Sequence, residues 1–256
     1  MENRGKRAEG RVMEWGGQSW RGAVLDLLFE RTCEGCGKAL TEDEPGQYCW
    51  DCRAELPLAR RPWCELCGDP VAGETGGEFL CGACAEGGRG FDWARSAMRY
   101  RGAAKRAVRA FKYHSALWLE GELATWLEAA WASAPEQRRE AAALVPVPMH
   151  WTRQRAREYN QAELLARALA KRVGVPCRTG WLRRSGFTPT QTHLTARQRA
   201  ENVRGRFRAG GRGLAGAGVV LVDDVMTTGA TLSECAKALK AAGAAWVGAV
   251  TVARGG

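Results

Sequence analysis

The chain has 256 residues, with 38 Lys and Arg against 28 Asp and Glu for a formal net charge of +10. That length suits one large α/β domain with a small appendage, or two modest domains. No apolar run approaches the roughly 18 residues that cross a bilayer, and Met1 to Trp20 lacks the apolar core and cleavage site of a secretion signal. A protein without a membrane span, soluble and cytoplasmic, is expected.

Residues 1–31 read as a tail that ends in a short amphipathic helix, Arg21 to Phe29, with Val24, Leu25, Leu28 and Phe29 as its docking side. Residues 32–90 hold eight of the ten cysteines as four Cys-x-x-Cys pairs: Cys33/Cys36, Cys49/Cys52, Cys64/Cys67 and Cys81/Cys84. A gap of two residues lets two thiolates grip one metal ion. Cys33-Glu34-Gly35-Cys36-Gly37 is echoed by Cys64-Glu65-Leu66-Cys67-Gly68, and each is followed by a second pair after 12 or 13 residues. The repeat implies two successive zinc ribbons, each closed by its own four sulfurs. With no open coordination position such sites are structural, and in segments this poor in apolar residues the metal supplies much of the folding free energy. Cys177 and Cys235 stand apart, and Cys235 reads as a small buried hydrophobe.

Residues 91–256 form the second unit, helical and basic from Phe91 onward. Ala103 to Trp131 reads as helix with a break before Leu117. Ala143 to Pro148 reads as a strand closed by prolines. A helix is expected over Gln161 to Val173, and strands over Val219 to Val222 and Trp246 to Ala253. Strands alternating with helices make a doubly wound parallel sheet.

The most informative stretch follows Val219-Val220-Leu221-Val222. Asp223 and Asp224 stand at the carboxyl end of this strand, where open α/β sheets place their ligand crevice. Thr227, Thr228, Gly229 and Thr231 then open a helix running to about Ala242, and Thr231 with Glu234 fits a capping box. Backbone N–H groups at such a helix start, with the threonine hydroxyls, make a cradle for a phosphate. Paired acids above a phosphate cradle suggest a sugar phosphate. An Asp-Asp alone would merely end a strand; the ordered succession of strand, acid pair, Thr-Thr-Gly-x-Thr and amphipathic helix is far more restrictive. No Gly-Lys-Ser/Thr is present, so this is not a Walker A loop.

Two further segments join it. Pro146-Val147-Pro148-Met149-His150 leads to Arg153, Arg155, Arg157 and Tyr159-Asn160-Gln161, and arginines on that loop suit a pyrophosphate. Phe187-Thr188-Pro189-Thr190-Gln191 leads through Arg197, Asn202 and Arg204 to Phe207, too long for an ordinary connection.

The loop resembles the phosphoribosyl-pyrophosphate signature of the type I phosphoribosyltransferases. Combined with the ribbons, Val-Pro-Val-Pro and Arg-x-Tyr-Asn-Gln, it makes the chain from about Leu25 onward similar to the ComF family of bacterial proteins linked to natural transformation. Tyr159 stands where relatives usually carry phenylalanine. The resemblance implies that Asp223 and Asp224 hold ribose hydroxyls and that Thr227 to Thr231 hold the 5′-phosphate. It also implies that Arg153, Arg155 and Arg157 face the pyrophosphate with Mg²⁺, and that Gln191, Arg197 and Arg204 belong to a hood loop. A phosphoribosyltransferase is the expected function. The alternative is a non-catalytic factor of DNA uptake holding single-stranded DNA and a partner helicase. Arg101, Lys105, Arg106, Arg109 and Lys112 beside Tyr100, Phe111 and Tyr113 suit such a strand, as do Arg197 to Arg212. His114, His150 and His193 are general-base candidates by residue type alone. The cradle and the ribbons falling in different units, loss of either ribbon is expected to spare the cradle's ligand.

Overall fold

A computed structural model describes residues 31–44, 46–136, 139–149, 159–185 and 203–255. The expected helix of Arg21 to Phe29 lies outside them. Two short helices, α1 (Trp50–Ala54) and α2 (Gly82–Ala85), belong to the cysteine-rich part. Then follow β1 (Trp93–Arg99), α3 (Gly102–Tyr113), a 3₁₀ turn (Leu117–Leu119), α4 (Glu120–Ala132), β2 (Ala143–Pro146) and α5 (Gln161–Val173). The chain continues through β3 (Leu182–Arg184), β4 (Phe207–Ala209), β5 (Gly218–Met226), α6 (Ala230–Ala241) and β6 (Trp246–Arg254).

Four strands form one sheet in the order β1–β6–β5–β2, parallel throughout, while β3 and β4 make a separate antiparallel pair. The period of two decides the layers. Val220, Val222, Val250 and Val252 enter one core with Val108 and Phe111 of α3, Leu123 and Leu127 of α4, and Leu165 and Leu169 of α5. Val219, Leu221, Val247 and Ala249 enter the other with Leu232, Cys235 and Leu239 of α6 and with Leu182 and Phe207 of the hairpin. Both faces are covered, as a parallel sheet requires. Cys235 is fully buried, as expected of a small hydrophobe.

Three expectations change. The stretch after Phe91 is not helical at first: β1 occupies it, hidden in the sequence because Arg95 and Ser96 point inward and are buried. Ser96 Oγ meets Thr251 Oγ1 at 2.6 Å across β1 and β6. The central strand also runs further than Val222, because its pairing with β6 holds the backbone extended as far as Met226 opposite Arg254. The capping box does not form either. Gly229 caps α6 in the left-handed region (φ 76°), and Glu234 instead accepts from the Gly205 N–H at 3.0 Å and pairs with Lys237.

The two ribbons dock on different layers. The first joins the core of α3 and α4, where the buried Glu122 carboxylate accepts from Gln47 N–H (3.2 Å), Trp126 Nε1 (3.0 Å) and Arg53 (3.2 Å). Tyr48 packs on Trp126 with ring centroids 5.7 Å apart. The second shares the core of α6 and lies along β1, with Ala94 N–H donating to Leu66 O (2.7 Å). Arg95, 2% exposed, reaches from β1 to the Glu65 carboxylate at 2.9 Å. The connection between the ribbons runs antiparallel along the outer edge of β1: Leu58 bridges Met98, Ala59 N–H donates to Ala97 O, and Arg99 N–H to Pro57 O. At the other edge Leu144 N–H donates to Pro176 O and Arg178 N–H to Leu144 O.

Candidate functional site

The eight paired cysteines gather into two sets, Cys33/Cys36/Cys49/Cys52 and Cys64/Cys67/Cys81/Cys84, with the sulfurs of each set within 4.8 Å of one another. Zn–S bonds of about 2.3 Å in a tetrahedron place sulfurs about 3.8 Å apart; Cys36 to Cys49 and Cys67 to Cys81 are both 3.8 Å. Each ribbon therefore fits one zinc on its own four thiolates, and no sulfur is shared between them. In each ribbon backbone N–H groups draw one thiol toward the thiolate, while burial raises others of the set. Burial raises the Cys33 thiol, but donors from Cys49, Cys36 and Gly35 outweigh it and bring it down to about 6. Cys64 is likewise brought down to about 7.

The second candidate lies at the carboxyl edge of the sheet. Alternation along β5 sends Asp223 and Asp224 to opposite faces. Asp224, 8% exposed, meets Lys112 Nζ of α3 at 2.7 Å. Burial draws the Lys112 ammonium down, yet Asp224 and Asp223 more than restore it, so its pKa stands above the ordinary value. Burial, and next the charge of Asp224, push Asp223 up to about 7, opposed by Lys112. Its carboxylate accepts from the Asp224 N–H at 2.8 Å. The pair thus sets Asp224, ion-paired with Lys112, beside a second acid whose pKa is drawn up toward neutrality.

After Met226 the backbone turns through Thr227 and Thr228 to Gly229. A Cβ there would lie 2.6 Å from Met226 Cε, so glycine is required both by φ and by space. Thr228 Oγ1 accepts from Ala230 N–H at 3.4 Å. The loop is braced from the second ribbon's side. Arg89 Nη1 donates to the Thr228 carbonyl, Gly90 N–H donates to Ser233 Oγ at 2.8 Å, and Ser233 reaches back to Gly88 O at 3.5 Å. Gly90 lies so close that a Cβ would meet Ser233 O at 2.2 Å. From the other side Gly255 N–H donates to Met226 O at 2.8 Å. Among the described residues the loop is thus in contact with the segment that follows the second ribbon.

The structure brings Asp223, Asp224, Thr227, Thr228, Gly229 and Thr231 together around one strand end. Arg153, Arg155, Arg157, Gln191 and Arg197 lie outside the described residues. Arg204 is exposed close to Glu234 of α6. Of the Tyr159-Asn160-Gln161 motif, Asn160 caps α5 through Ala162 N–H (3.1 Å) and holds Val147 O. The Tyr159 hydroxyl donates to Phe111 O at 2.6 Å, at the end of the helix that carries Lys112. The basic-aromatic stretch of α3 changes meaning as well. Phe111 is fully buried, Lys112 serves the acid pair, and Arg106 donates to Gly35 O. Sequence reasoning missed Arg89 and Ser233. The glycines around Arg89 were the available signal, since they permit close backbone approach.

A family model described as a phosphoribosyl transferase domain matches residues 160–256, and one described as a double zinc ribbon domain matches residues 24–85. Competence protein F of Haemophilus influenzae is 31% identical over 76% of this chain and 91% of its own length. DNA utilization protein YhgH of Salmonella typhimurium is 31% identical, covering 79% and 94%. Competence protein ComFC of Bacillus subtilis is 26% identical, covering 81% and 84%. The solved glutamine phosphoribosylpyrophosphate amidotransferase of B. subtilis overlaps at a TM-score of 0.35, with 23% identity over 52% of this chain and 25% of that one, too loosely to carry weight. No described helix is long and apolar enough to cross a membrane. With a double zinc ribbon ahead of a parallel-sheet phosphoribosyl transferase domain, and with this likeness to competence protein F along most of its length, the chain belongs to the ComF family of competence and DNA-utilization proteins.

Proposed function

We propose that the chain binds phosphoribosyl pyrophosphate, or a closely related ribose phosphate, at the β5–α6 turn and acts as a phosphoribosyltransferase in DNA uptake. The carrying observation is the acid pair of Asp223 and Asp224, one of them fixed by Lys112 at 2.7 Å, directly ahead of the glycine-capped turn into α6. Carboxylates there accept from ribose hydroxyls, and charge-assisted bonds of this kind are among the strong ones. The loop N–H groups and the positive end of α6 favour the phosphate. Arg153, Arg155 and Arg157 supply cations for the pyrophosphate. Mg²⁺ enters with that group and spreads its charge as it leaves. The cytoplasm, where such phosphates and the incoming strand meet, is the proposed location.

Calorimetric titration with phosphoribosyl pyrophosphate and Mg²⁺ tests the reading. Binding is expected, weakened by about 1.5–3 kcal/mol in Asp223→Asn and similarly in Thr228→Val. Absence of binding to the unaltered chain, or equal affinity in both variants, overturns it.

A second reading, a factor that holds single-stranded DNA and a helicase, is favoured by one observation. Arg183 and Arg208, both exposed, stand directly opposite each other across β3 and β4. Like charges in that position are destabilising without an anion between them. Single-strand affinity is expected to fall with salt, by a log–log slope of about −0.7 per phosphate neutralised. Replacing Arg183 and Arg208 with alanine should flatten the slope, and an unchanged slope rejects the hairpin as the contact.

A further inference from the structure

The segment between the last zinc ligand and β1 is short and fully engaged. Cys84 is followed five residues later by Arg89, whose guanidinium donates to the Thr228 carbonyl of the phosphate loop. The same guanidinium lies within hydrogen-bond reach of the Cys84 side chain, so one cation faces both a zinc-ligating sulfur and the loop. The next residue, Gly90, is hydrogen-bonded to Ser233 in the first turn of α6. Cys64, Cys67, Cys84, Met226 and Leu232 share one hydrophobic core. Arg254, which pairs in register with Met226, extends Nη2 to within 3.8 Å of Cys67 Sγ and Nε to Asp69 at 3.2 Å. The first ribbon has no such tie to the loop among the described residues.

Peptide geometry gives the Arg89 bond its consequence. The Thr228–Gly229 peptide is a rigid plane in which C=O and N–H point opposite ways. Drawing the Thr228 oxygen toward Arg89 aims the Gly229 N–H away from Arg89, to the other side of the turn. Released from Arg89, that plane is free to turn its carbonyl toward an anion instead, which repels phosphate. An unloaded second ribbon lacks the ion that ties its four sulfurs to one point, and Arg89 follows its last ligand, Cys84, by five residues.

We infer that zinc in the second ribbon and the ligand in the phosphate loop are thermodynamically coupled through Arg89 and the Gly90–Ser233 contact, zinc setting the loop for phosphate and bound phosphate tightening the zinc. Arg89 is a positioning residue in this scheme. The inference rests on the ribose-phosphate reading of the loop for its ligand half, but its structural half does not need a ligand. Coupling of this kind is reciprocal.

Hydrogen exchange of the full chain tests the structural half. Exchange across Thr227 to Ser233 is compared in the zinc-loaded protein, in Cys64→Ser, which disables the second ribbon, and in Cys36→Ser, which disables the first. Faster exchange in Cys64→Ser but not in Cys36→Ser is expected, and Arg89→Ala should reproduce it with both zincs retained. Unchanged exchange in Arg89→Ala, or equal effects of the two cysteine variants, overturns the coupling. The ligand half is read in the unaltered chain by zinc transfer to a colorimetric chelator, with and without phosphoribosyl pyrophosphate and Mg²⁺. Release of one zinc should slow about tenfold, within the usual range of coupling free energies, while the other is unaffected; Arg89→Ala should abolish the protection. Equal release rates with the ligand demonstrably bound overturn the coupling. A chain that fails to bind ligand but shows the exchange pattern overturns the ribose-phosphate reading alone.

Discussion

The two ribbons begin from nearly the same sequence and are held to the body by opposite charges. In the first, a buried carboxylate from the body, Glu122, reaches out to Gln47 N–H and Arg53, and Arg106, among the described residues, meets only the Gly35 carbonyl. In the second, arginines reach out: Arg95 to Glu65, Arg254 to Asp69 and Cys67, and Arg89 beside Cys84. A zinc held by four thiolates carries net negative charge, so cations beside it are compensated and a carboxylate beside it is not. The first ribbon accordingly keeps its anionic anchor on the Gly46–Gln47 turn and Arg53 rather than on its sulfurs. Repeated motifs specify how a module folds; the partners on the body decide what it is connected to.

The largest test removes the metals. Cys49→Ser and Cys64→Ser should each lower the zinc content from two per chain to one, at a cost on the order of 10 kcal/mol to the affected ribbon. Elemental analysis reads the stoichiometry directly. Loss of both zincs from either substitution would break the idea of two separately closed sites.

Next come the anchors. Glu122→Gln removes the Arg53–Glu122 ion pair, and Arg95→Met removes the buried partner of Glu65, which then keeps only the exposed Arg61; each should lower stability in urea unfolding by about 3 kcal/mol. Protease nicking should then appear in the first ribbon for Glu122→Gln and in the second for Arg95→Met. Nicking of the same ribbon in both variants would contradict the separate docking.

Acidity distinguishes the site from the ribbons by sign. Asp223 stands above its ordinary 3.8, at about 7, chiefly through burial. A raised carboxyl value contributes stability that is fully present below about pH 4 and lost as pH rises through the folded-state value. Unfolding free energy should therefore decline between about pH 4 and pH 7 through this group, and Asp223→Asn should remove that decline. Zinc ligation runs the other way, because protons compete for thiolates, so the comparison is made with zinc in excess. Identical slopes in the two proteins would sink the assignment.

The smallest effect is that of the Tyr159 hydroxyl. Tyr159→Phe removes its bond to Phe111 O and should cost about 1 kcal/mol with zinc content unchanged. A neutral result would show that the hydroxyl contributes nothing to holding α3.

What the sequence revealed depended on distance along the chain. The phosphate loop was legible because its parts are contiguous, from Val219 to Thr231, and the ribbons because cysteine spacing carries their geometry. β1 was not, since its inward Arg95 and Ser96 break the apolar alternation and find their side-chain hydrogen-bond partners in Glu65 and Thr251, 30 and 155 residues away. Lys112 read as one more cation in a basic helix until Asp224 came to lie beside it. Arg89 stood at the end of the cysteine-rich part among glycines, with no motif to mark it. In both cases the missing information was which segment the fold would bring opposite.

The cover on the sheet's two edges has a consequence for how this protein fails. One edge, at β2, is closed by the nearby segment Pro176 to Arg178. The other, at β1, is closed by residues 57–59, which are suspended between the two zinc ribbons. Unpaired strand edges template pairing with other chains. Depletion of zinc therefore threatens more than the ribbons: it loosens the strap over β1 and bares a strand that includes Trp93, Ala97 and Met98. Metal-starved protein should be lost by self-association at that edge, making zinc supply a determinant of how much of it stays in solution.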